Sequence, residues 1–214
     1  MSQVKDLLQN HTVVDVVELA GTSDMLGLTI SRVLGGRLVE VLENVDSPGI
    51  LCIDFRRVRL TEQSVLEQSV VKAIARALQN AFVYKLVVCS NTSASHRTMI
   101  ERVLAVWSEL EDAYRERERE RLLLLVSGRE TPDVWFLLGK GELTAEERLV
   151  WDLLADRDCM SYYTIIQESG FSEKELQMNL EVFVRNRVII YDDEQSPPAV
   201  CSMVSLLNNL ESVQ

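Results

Sequence analysis

The first 108 residues alternate between short apolar runs and longer segments with helical periodicity. Three apolar runs predict buried β-strands: TVVDVVELA at 12–20, ILCIDF at 50–55 and KLVVCS at 85–90. Between and after these runs, apolar residues recur at helical spacing and predict three helices, over 26–45, 61–82 and 99–107. Strands and helices that alternate in this way predict an α/β layer architecture.

Turn residues separate these elements. Gly21-Thr22-Ser23 and Asp46–Gly49 predict turns, and Thr61 is expected to cap the second helix. Gly35 and Gly36 interrupt the first helix, where they predict a kink or the close approach of another element. A phosphate-binding glycine loop is the alternative, but this pair lies inside a helix and does not follow a strand.

A charged segment, ELEDAYRERERER at 109–121, follows the third helix. It predicts the solvated end of that helix and a linker, with a charged interaction face as the alternative. Two apolar runs on either side of GRETPD then predict a β-hairpin, in which Trp135 and Phe136 are anchors between two domains. We expect these domains to comprise residues 1–140 and 141–214.

Two capping boxes organise the second domain. Thr144-x-x-Glu147 and Ser172-x-x-Glu175 each predict the start of a helix. A short helix that begins at Ser161 lies between them, and the Tyr162-Tyr163 pair is expected to pack in its core. Two strands, VIIYDD and AVCSMVSLL, joined by a Ser-Pro-Pro turn, complete the chain.

Composition narrows the class of protein. The chain has 33 acidic and 22 basic residues and a formal net charge of −11, which opposes non-specific binding to a phosphate backbone. No apolar run is long enough to span a membrane, and the N-terminus lacks the apolar stretch of a signal peptide. Four scattered cysteines, none in a CxxC pair, make a disulfide or a zinc site unexpected. We therefore expect a cytoplasmic protein with no membrane partner.

The segment GILCIDFRRVRLTEQSVLEQSVVKAI carries a strand that ends at Asp54-Phe55 and a helix start at Glu62-Gln63-Ser64-Val65. This arrangement resembles the STAS family, known from anti-sigma-factor antagonists, in which Asp-Ser-Ser-Gly opens the helix. KLVVCSNTSASHRTMIERVLAVW resembles the next strand, loop and helix of the family. The resemblance covers residues 12–108 and implies a STAS-like α/β domain of sheet and helices in two or three layers.

The resemblance also implies a phosphorylation site at Ser64, because a partner kinase phosphorylates the Ser at that position in the family. A phosphate there would meet the amides of the helix N-terminus and would add charge against an acidic partner surface. Glu62, Gln63 and Val65 depart from the family's Asp-Ser-Ser-Gly, so the resemblance carries the fold rather than the switch. Ser64 as an ordinary residue of the helix start is the alternative.

The order helix, short helix, Gly turn, helix and hairpin in the second domain resembles winged-helix domains. Winged helices bind DNA through the third helix and the wing, or they bind proteins. From residue 140 onward the chain has six basic and fourteen acidic residues, which favours a protein partner. In the alternative, a dimer presents three basic residues to DNA: Lys174, Arg185 and Arg187.

A polar loop, SNTSAS at 90–95, is expected to follow the third strand, where α/β proteins bind ligands. Five residues are candidates to hold an anion or nucleotide at the N-terminus of the third helix: Ser90, Ser93, Ser95, His96 and Arg97. A capping loop without a ligand is the alternative. The sequence contains no nucleophile, Walker A or dinucleotide motif and no cluster of metal ligands, so we predict no catalytic residue, no metal and no cofactor.

These patterns lead to one expectation and two alternatives. We expect a non-catalytic regulatory or adaptor protein, most simply a homodimer, that acts through protein–protein interaction and uses its acidic winged helix as a binding module. The first alternative is a dimeric winged-helix transcriptional regulator that binds DNA while the STAS-like domain senses a signal. The second alternative is an enzyme that uses the Ser90–Arg97 loop.

Overall fold

The structure, a computed structural model, describes residues 7, 9–79, 84–112, 121–139, 141, 143–155, 157, 159–192, 199–204 and 207–208. The described strands are β1 (His11–Asp15), β2 (Asp24–Met25), β3 (Gly49–Asp54), β4 (Leu60–Thr61), β5 (Lys85–Thr92), β6 (Leu124–Gly128), β7 (Trp135–Leu138), β8 (Cys159–Ser161), β9 (Ile189–Asp192) and β10 (Ala199–Ser202). The described helices are α1 (Val16–Ala20), α2 (Gly27–Asn44), α3 (Gln63–Leu66, continued by a π-helical turn at Glu67–Val71 and by Lys72–Leu78), α4 (Ala94–Asp112), α5 (Ala145–Ala155), α6 (Tyr162–Ser169) and α7 (Glu173–Arg185).

The main sheet has the strand order β1-β3-β5-β6-β7, in which the first four strands are parallel and β7 is antiparallel to β6. Because the successive crossovers all step in one direction, right-handed connections place α2, α3 and α4 on the same face of the sheet. Leu38 of α2 and Val103 of α4 share one buried cluster there with Ile53 and Val87 of the strands.

The C-terminal helices cover the opposite face of the sheet. Parallel strands need other elements on both faces, because neither face can be left to solvent. Ile50, Val88 and Leu125 form one buried cluster with Trp151 of α5 and Phe183 of α7. The described chain therefore has three layers, the third formed by the C-terminal helices. Its fold is mixed α/β, as predicted. The division at residue 140 stays a prediction, since both parts contribute to this cluster.

Polar contacts fix the C-terminal helices on the sheet. The Arg121 guanidinium, which precedes β6, donates to both carboxylate oxygens of Glu147 in α5, at 2.5 and 2.6 Å. The buried Asn186 side chain, at the end of α7, accepts from the Leu123 amide and donates to the Arg121 carbonyl, both at 2.9 Å. Separating the layers would leave these groups unpaired, so the contacts select one orientation of the helices.

The run at 12–20 is not one strand, as predicted, but a strand and a helix. β1 ends at Asp15, whose carboxylate accepts hydrogen bonds from the Val17 and Glu18 amides and so starts α1. Gly21 ends this helix with φ +76, a conformation that glycine adopts without steric cost. A single carboxylate therefore overrides the β propensity of the valines that follow it.

Two other predicted boundaries are wrong. Thr61 belongs to β4 and does not cap α3, which begins at Gln63 after Glu62. The predicted polar loop at 90–95 consists mainly of strand and helix, because β5 continues to Thr92, across an irregular register with β6, and α4 begins at Ala94. The helix continues to Asp112, and most of the linker predicted at 109–121 lies outside the described residues.

Gly35 confirms the predicted close approach of another element. A Cβ atom at this position would lie 1.9 Å from the backbone oxygen of Gln68. Gln68 belongs to the π-helical turn of α3, so α2 and α3 meet at backbone distance at this point. Gly35 therefore allows the two helices to pack closely, as expected from its place inside a helix.

The C-terminal elements follow the predicted order, with one strand added. Both capping boxes are present, and Ser161 and Gly170 begin and end α6 as predicted. β8, which the sequence pattern does not predict, pairs with β10, and β10 pairs with β9. The run AVCSMVSLL is strand only as far as Ser202, since the next two residues are helical.

A disulfide joins Cys159 of β8 to Cys201 of β10, contrary to the sequence-based expectation. The two residues lie directly opposite each other in the antiparallel pair but 42 positions apart in sequence, so their spacing does not indicate a bond. Cys52 and Cys89 are thiols and not part of a disulfide. The predicted cytoplasmic location therefore loses the support that four unpaired cysteines would give it. Among the described residues, no helix combines the length and apolar character needed to cross a bilayer.

The two aromatic pairs behave differently from each other. Trp135 is buried under the C-terminal helices, as its predicted anchoring role requires, while Phe136 is 36% exposed on the other face of the sheet. Tyr162 is half-buried and donates to the Glu173 carbonyl at 3.0 Å. Tyr163 is 66% exposed, so its predicted packing in the core is wrong.

Candidate functional site

Polar residues line the carboxyl ends of the parallel strands. Asp15 ends β1, Asp54 ends β3, and the two lie side by side in the register of the sheet. Arg57 donates to Asp15 Oδ2 at 2.6 Å, so Asp15 is both the cap of α1 and a partner in an ion pair. Burial acts against ionisation, but hydrogen bonds from Arg57 and the helix amides outweigh it and lower the pKa of Asp15.

Protein donors also occupy Asp54. Its Oδ1 accepts from the Asn91 side chain and from the Arg56 backbone amide, each at 2.8 Å. Asn91 adopts a left-handed conformation, φ +54, where the register of β5 with β6 is irregular. Both carboxylates therefore serve as structural acceptors. The part of the chain that the structure describes holds no group of three or more residues suited to a metal ion.

The predicted anion-binding residues lie close together, and Ser93 organises them as a helix cap. Its Oγ accepts from the His96 amide at 3.2 Å, and it lies 2.8 Å from Ser95 Oγ. These contacts satisfy amides that an anion would otherwise use. They agree with the capping-loop alternative, and binding of a ligand by this segment stays a prediction.

The remaining two candidates also have protein partners. Ser90 belongs to β5, and its Oγ accepts a hydrogen bond from the Cys52 thiol at 3.2 Å. The Arg97 guanidinium donates to the Thr92 carbonyl at 3.0 Å and lies over the Phe136 ring. The structure thus places the Arg97 guanidinium at the carboxyl ends of β5 and β6, next to β7.

His96 is buried at the start of α4, with 3% of its surface exposed. Its ring lies 5.4 Å from that of Phe55, and its Nδ1 accepts from the Ser93 amide at 3.3 Å. Burial, followed by the positive charge of Arg129, lowers the pKa of His96 to about 4. The imidazole is therefore neutral near pH 7 and is a packed residue of the helix start.

His96 should make the stability of the fold depend on pH. The unfolded chain binds the proton with a pKa of 6.5 and the folded chain with one of about 4, so protons favour unfolding between these values. We expect the free energy of unfolding to decrease from pH 6.5 to pH 4 and His96→Asn to lose that component. Urea titrations at several pH values in this range measure the free energy of unfolding. The same pH dependence in both proteins would contradict the assignment.

Three leucines are exposed beside this edge of the sheet. β2 and β4 pair in parallel, with Asp24 opposite Leu60 and Met25 opposite Thr61. Met25 points into the core with 1% exposure, so its neighbours along the strand point outward. Leu26, Leu28 and Leu60 are 43%, 67% and 51% exposed. We call these three residues the leucine surface.

Ion pairs lie next to Leu60 of the leucine surface and at the neighbouring end of β1. Arg59 donates to both carboxylate oxygens of Asp24, next to Leu60. Arg57 contacts Glu18 at 2.9 Å in addition to Asp15. Exposed leucines therefore adjoin a charged margin, a composition typical of protein-binding sites.

Two helix N-termini meet behind the leucine surface. α2 begins after Leu26 and α3 after Glu62, and neither has a side-chain cap from its own N-cap residue. The Glu62 carboxylate instead accepts from the Gly27 amide of α2 at 2.9 Å. Ser64 lies in the first turn of α3, half-buried, three positions before Glu67. A phosphate on Ser64 would thus stand near two carboxylates and would add repulsion at this edge.

The basic residues proposed for DNA do not form one surface. Lys174 is exposed near the start of α7, while Arg185 lies at its end and pairs with Glu181 at 2.6 Å. Arg187 is 6% exposed, and its guanidinium donates to the Lys85 carbonyl at 2.7 Å and lies over the Tyr84 ring. It joins the C-terminal helices to the sheet and would have to break these contacts to reach DNA.

The leucine surface is the feature that sequence reasoning misses. Leu26 is counted there among the apolar residues of a buried helix face, and Leu28 and Leu60 are not distinguished from their neighbours. Helical spacing gives no signal for Leu28, because it lies two heptads before the buried Leu42 and therefore close to the buried face. Leu60 gives a weak signal, as one apolar residue between Arg59 and Thr61.

Comparison with known proteins does not assign this surface to a family. The chain matches no family model, no curated protein and no solved structure.

Proposed function

We propose that this chain is a non-catalytic regulatory or adaptor protein that binds a protein partner through the leucine surface. The observation that carries the proposal is the exposure of three leucines, 43% to 67%, on two segments that the β2–β4 pair brings together. Large apolar side chains leave water favourably when a partner covers them, and half-exposed leucines should each contribute about 1 kcal/mol. The charged margin then fixes the orientation of the partner.

The resemblance to the STAS family supports a role of the same surface in partner binding. In this proposal the three layers are a STAS-like domain whose second face is covered by a winged-helix-like domain. Ser64, the position that the resemblance implies for phosphorylation, lies in the helix whose N-cap residue, Glu62, is two positions from Leu60. A phosphate there would change the charge beside the leucine surface, so partner binding would respond to it.

The C-terminal domain supports a protein partner more than DNA. The exposed side of α7 carries Met178, 63% exposed, together with Glu181 and its ion-pair partner Arg185. Arg187 is occupied inside the molecule. A surface of this composition offers no basic stripe to a phosphate backbone.

The test compares partner recovery by the wild type and by Leu28→Asp/Leu60→Asp. The tagged full chain is purified from its own host cell after cross-linking, and bound proteins are quantified. A partner of the leucine surface should bind the variant at least about tenfold more weakly, since charges replace two leucines that the partner would otherwise bury. Both leucines are at least half exposed, so the free energy of unfolding should stay within about 0.5 kcal/mol of the wild type.

Leu149→Asp is the matched control, because Leu149 is 42% exposed on α5, away from the leucine surface. It should recover the partner in wild-type amounts. Equal recovery by all three proteins would contradict the proposal. Sedimentation velocity separates one further outcome: a dimeric wild type and a monomeric Leu28→Asp/Leu60→Asp would show that the surface joins two copies of this chain.

A further inference from the structure

A cleft runs along β7 at the opposite edge of the sheet from β1. β7 pairs with β6 on one side, and no described strand pairs with its other side. α4 forms one wall of the cleft and α5 forms the other, with β7 between them. Its volume is about 1,210 Å³. The cleft shares no residue with the leucine surface.

The backbone of β7 is the first feature that points to a ligand. An edge strand presents unpaired amide and carbonyl groups that can bond to an added strand. Side chains of β7 alternate between the walls: Phe136, 36% exposed, and Leu138 face α4, while Trp135 and Leu137 face the C-terminal helices. A second strand laid beside β7 would send alternate side chains toward the same two walls.

Two unpartnered groups indicate what those side chains should carry. The Trp135 indole lines the cleft and is nine-tenths buried, yet its Nε1 has no hydrogen-bond partner among the described residues. Arg102, exposed on the α4 wall, makes no ion pair with any described residue, whereas Arg157 pairs with Glu168. Asp152 on α5 and Asp133 before β7 also line the cleft without an ion pair to a described residue, so the unpaired positive charge lies on the α4 wall alone. An oxygen acceptor on one wall and a carboxylate on the other would satisfy both groups.

The size and shape of the cleft select the kind of ligand. Small-molecule sites are typically pockets that bury most of the ligand, whereas this cleft follows the free side of an edge strand and so suits an extended segment of polypeptide better. A second copy of β7 is a poor occupant, because neighbouring strands must come within about 4.8 Å and the α4 and α5 walls of two copies would meet first. A single extended segment has no such walls.

We propose that the β7 cleft binds an extended segment of a partner protein, with an acidic side chain directed toward α4, by strand addition to β7. A carboxylate of the segment pairs with Arg102 on the α4 wall. A neighbouring side chain, directed toward α5, supplies an oxygen to Trp135 Nε1. This inference rests on other residues than the proposed function, so each can fail while the other stands.

The test selects ligands with a displayed library of random nine-residue peptides on the full chain. Enriched sequences should carry Asp or Glu, and the synthetic peptides should slow amide hydrogen exchange in β7. Arg102→Glu, which reverses the charge, and Ala105→Tyr, which fills the cleft from the α4 wall, should each weaken binding at least about tenfold. Trp135→Phe, which removes only the indole N–H from the buried ring, should weaken it roughly twofold to tenfold.

Arg32→Glu and Ala145→Tyr, at exposed positions outside the cleft, are the matched controls and should bind like the wild type. Melting temperatures show that each variant is folded. Failure of the library to enrich any peptide would overturn the proposal. So would enriched peptides that bind the Arg102 and Ala105 variants as tightly as the wild type, or that protect α7 or α2 in place of β7.

Discussion

Gly35→Ala should destabilise the protein by about 3 kcal/mol, the upper part of the range for an overpacked interior. The added methyl group would stand 1.9 Å from the Gln68 oxygen. That oxygen belongs to the backbone, so no change of rotamer can relieve the contact. α2 and α3 would have to separate and lose apolar contacts along the helical layer. Urea unfolding followed by circular dichroism measures the difference.

Gly36→Ala is the control at the next position. No atom outside the helix lies within 4 Å of a Cβ there, and Gly36 is exposed. Alanine should therefore stabilise the helix, by about 0.5–1 kcal/mol, because it restricts the unfolded chain more than glycine does. Two variants one residue apart should thus change stability in opposite directions. If both substitutions increased the free energy of unfolding, the π-helical turn would not contact α2 at Gly35.

Removing the disulfide should destabilise the protein by about 4 kcal/mol. The Cys159–Cys201 bond closes a loop of 42 residues, and a cross-link of that length restricts the unfolded chain by about this amount. Cys159→Ala/Cys201→Ala should therefore unfold at a lower urea concentration than the oxidised wild type. The bond joins β8 to β10 at the base of the β9–β10 hairpin, so most of the loss should come from the C-terminal layer.

A reductant provides the internal control for the disulfide. Dithiothreitol should lower the unfolding midpoint of the wild type to that of the double variant and leave the variant unchanged. Cys52 and Cys89 are present in both proteins, so effects of their thiols cancel. A wild type that is insensitive to reductant during unfolding would mean that the bond does not form in solution.

Local patterns predict most of the elements of this chain, and local chemistry explains where they fail. The helices that become α2 and α3 are evident from their spacing, and Gly35 is recognisable as a packing position. The helix at Val16–Ala20 is hidden because Asp15 acts as a cap within a run of valines. The extent of β5 is hidden because its last residues are polar, although β6 pairs with them.

The candidate sites depend on contacts between distant parts of the chain, which no local pattern contains. Leu28 and Leu60 are 32 positions apart, and the segments that carry them are joined only through the short β2–β4 pair. His96 belongs to a polar stretch in the sequence but is buried against Phe55 in the fold. Arg187 looks like a surface base and lies at an internal junction. In each case tertiary packing decides the role of the residue.

The shared cluster beneath the sheet has an evolutionary consequence. A domain that leaves one face of a parallel sheet bare cannot be moved to another protein without bringing a cover for that face. Changes at Ile50 or Val88 must be matched by changes at Trp151 or Phe183, since these residues occupy one cluster. The two halves of the chain are therefore expected to diverge together, as a single heritable unit, rather than be exchanged separately between proteins.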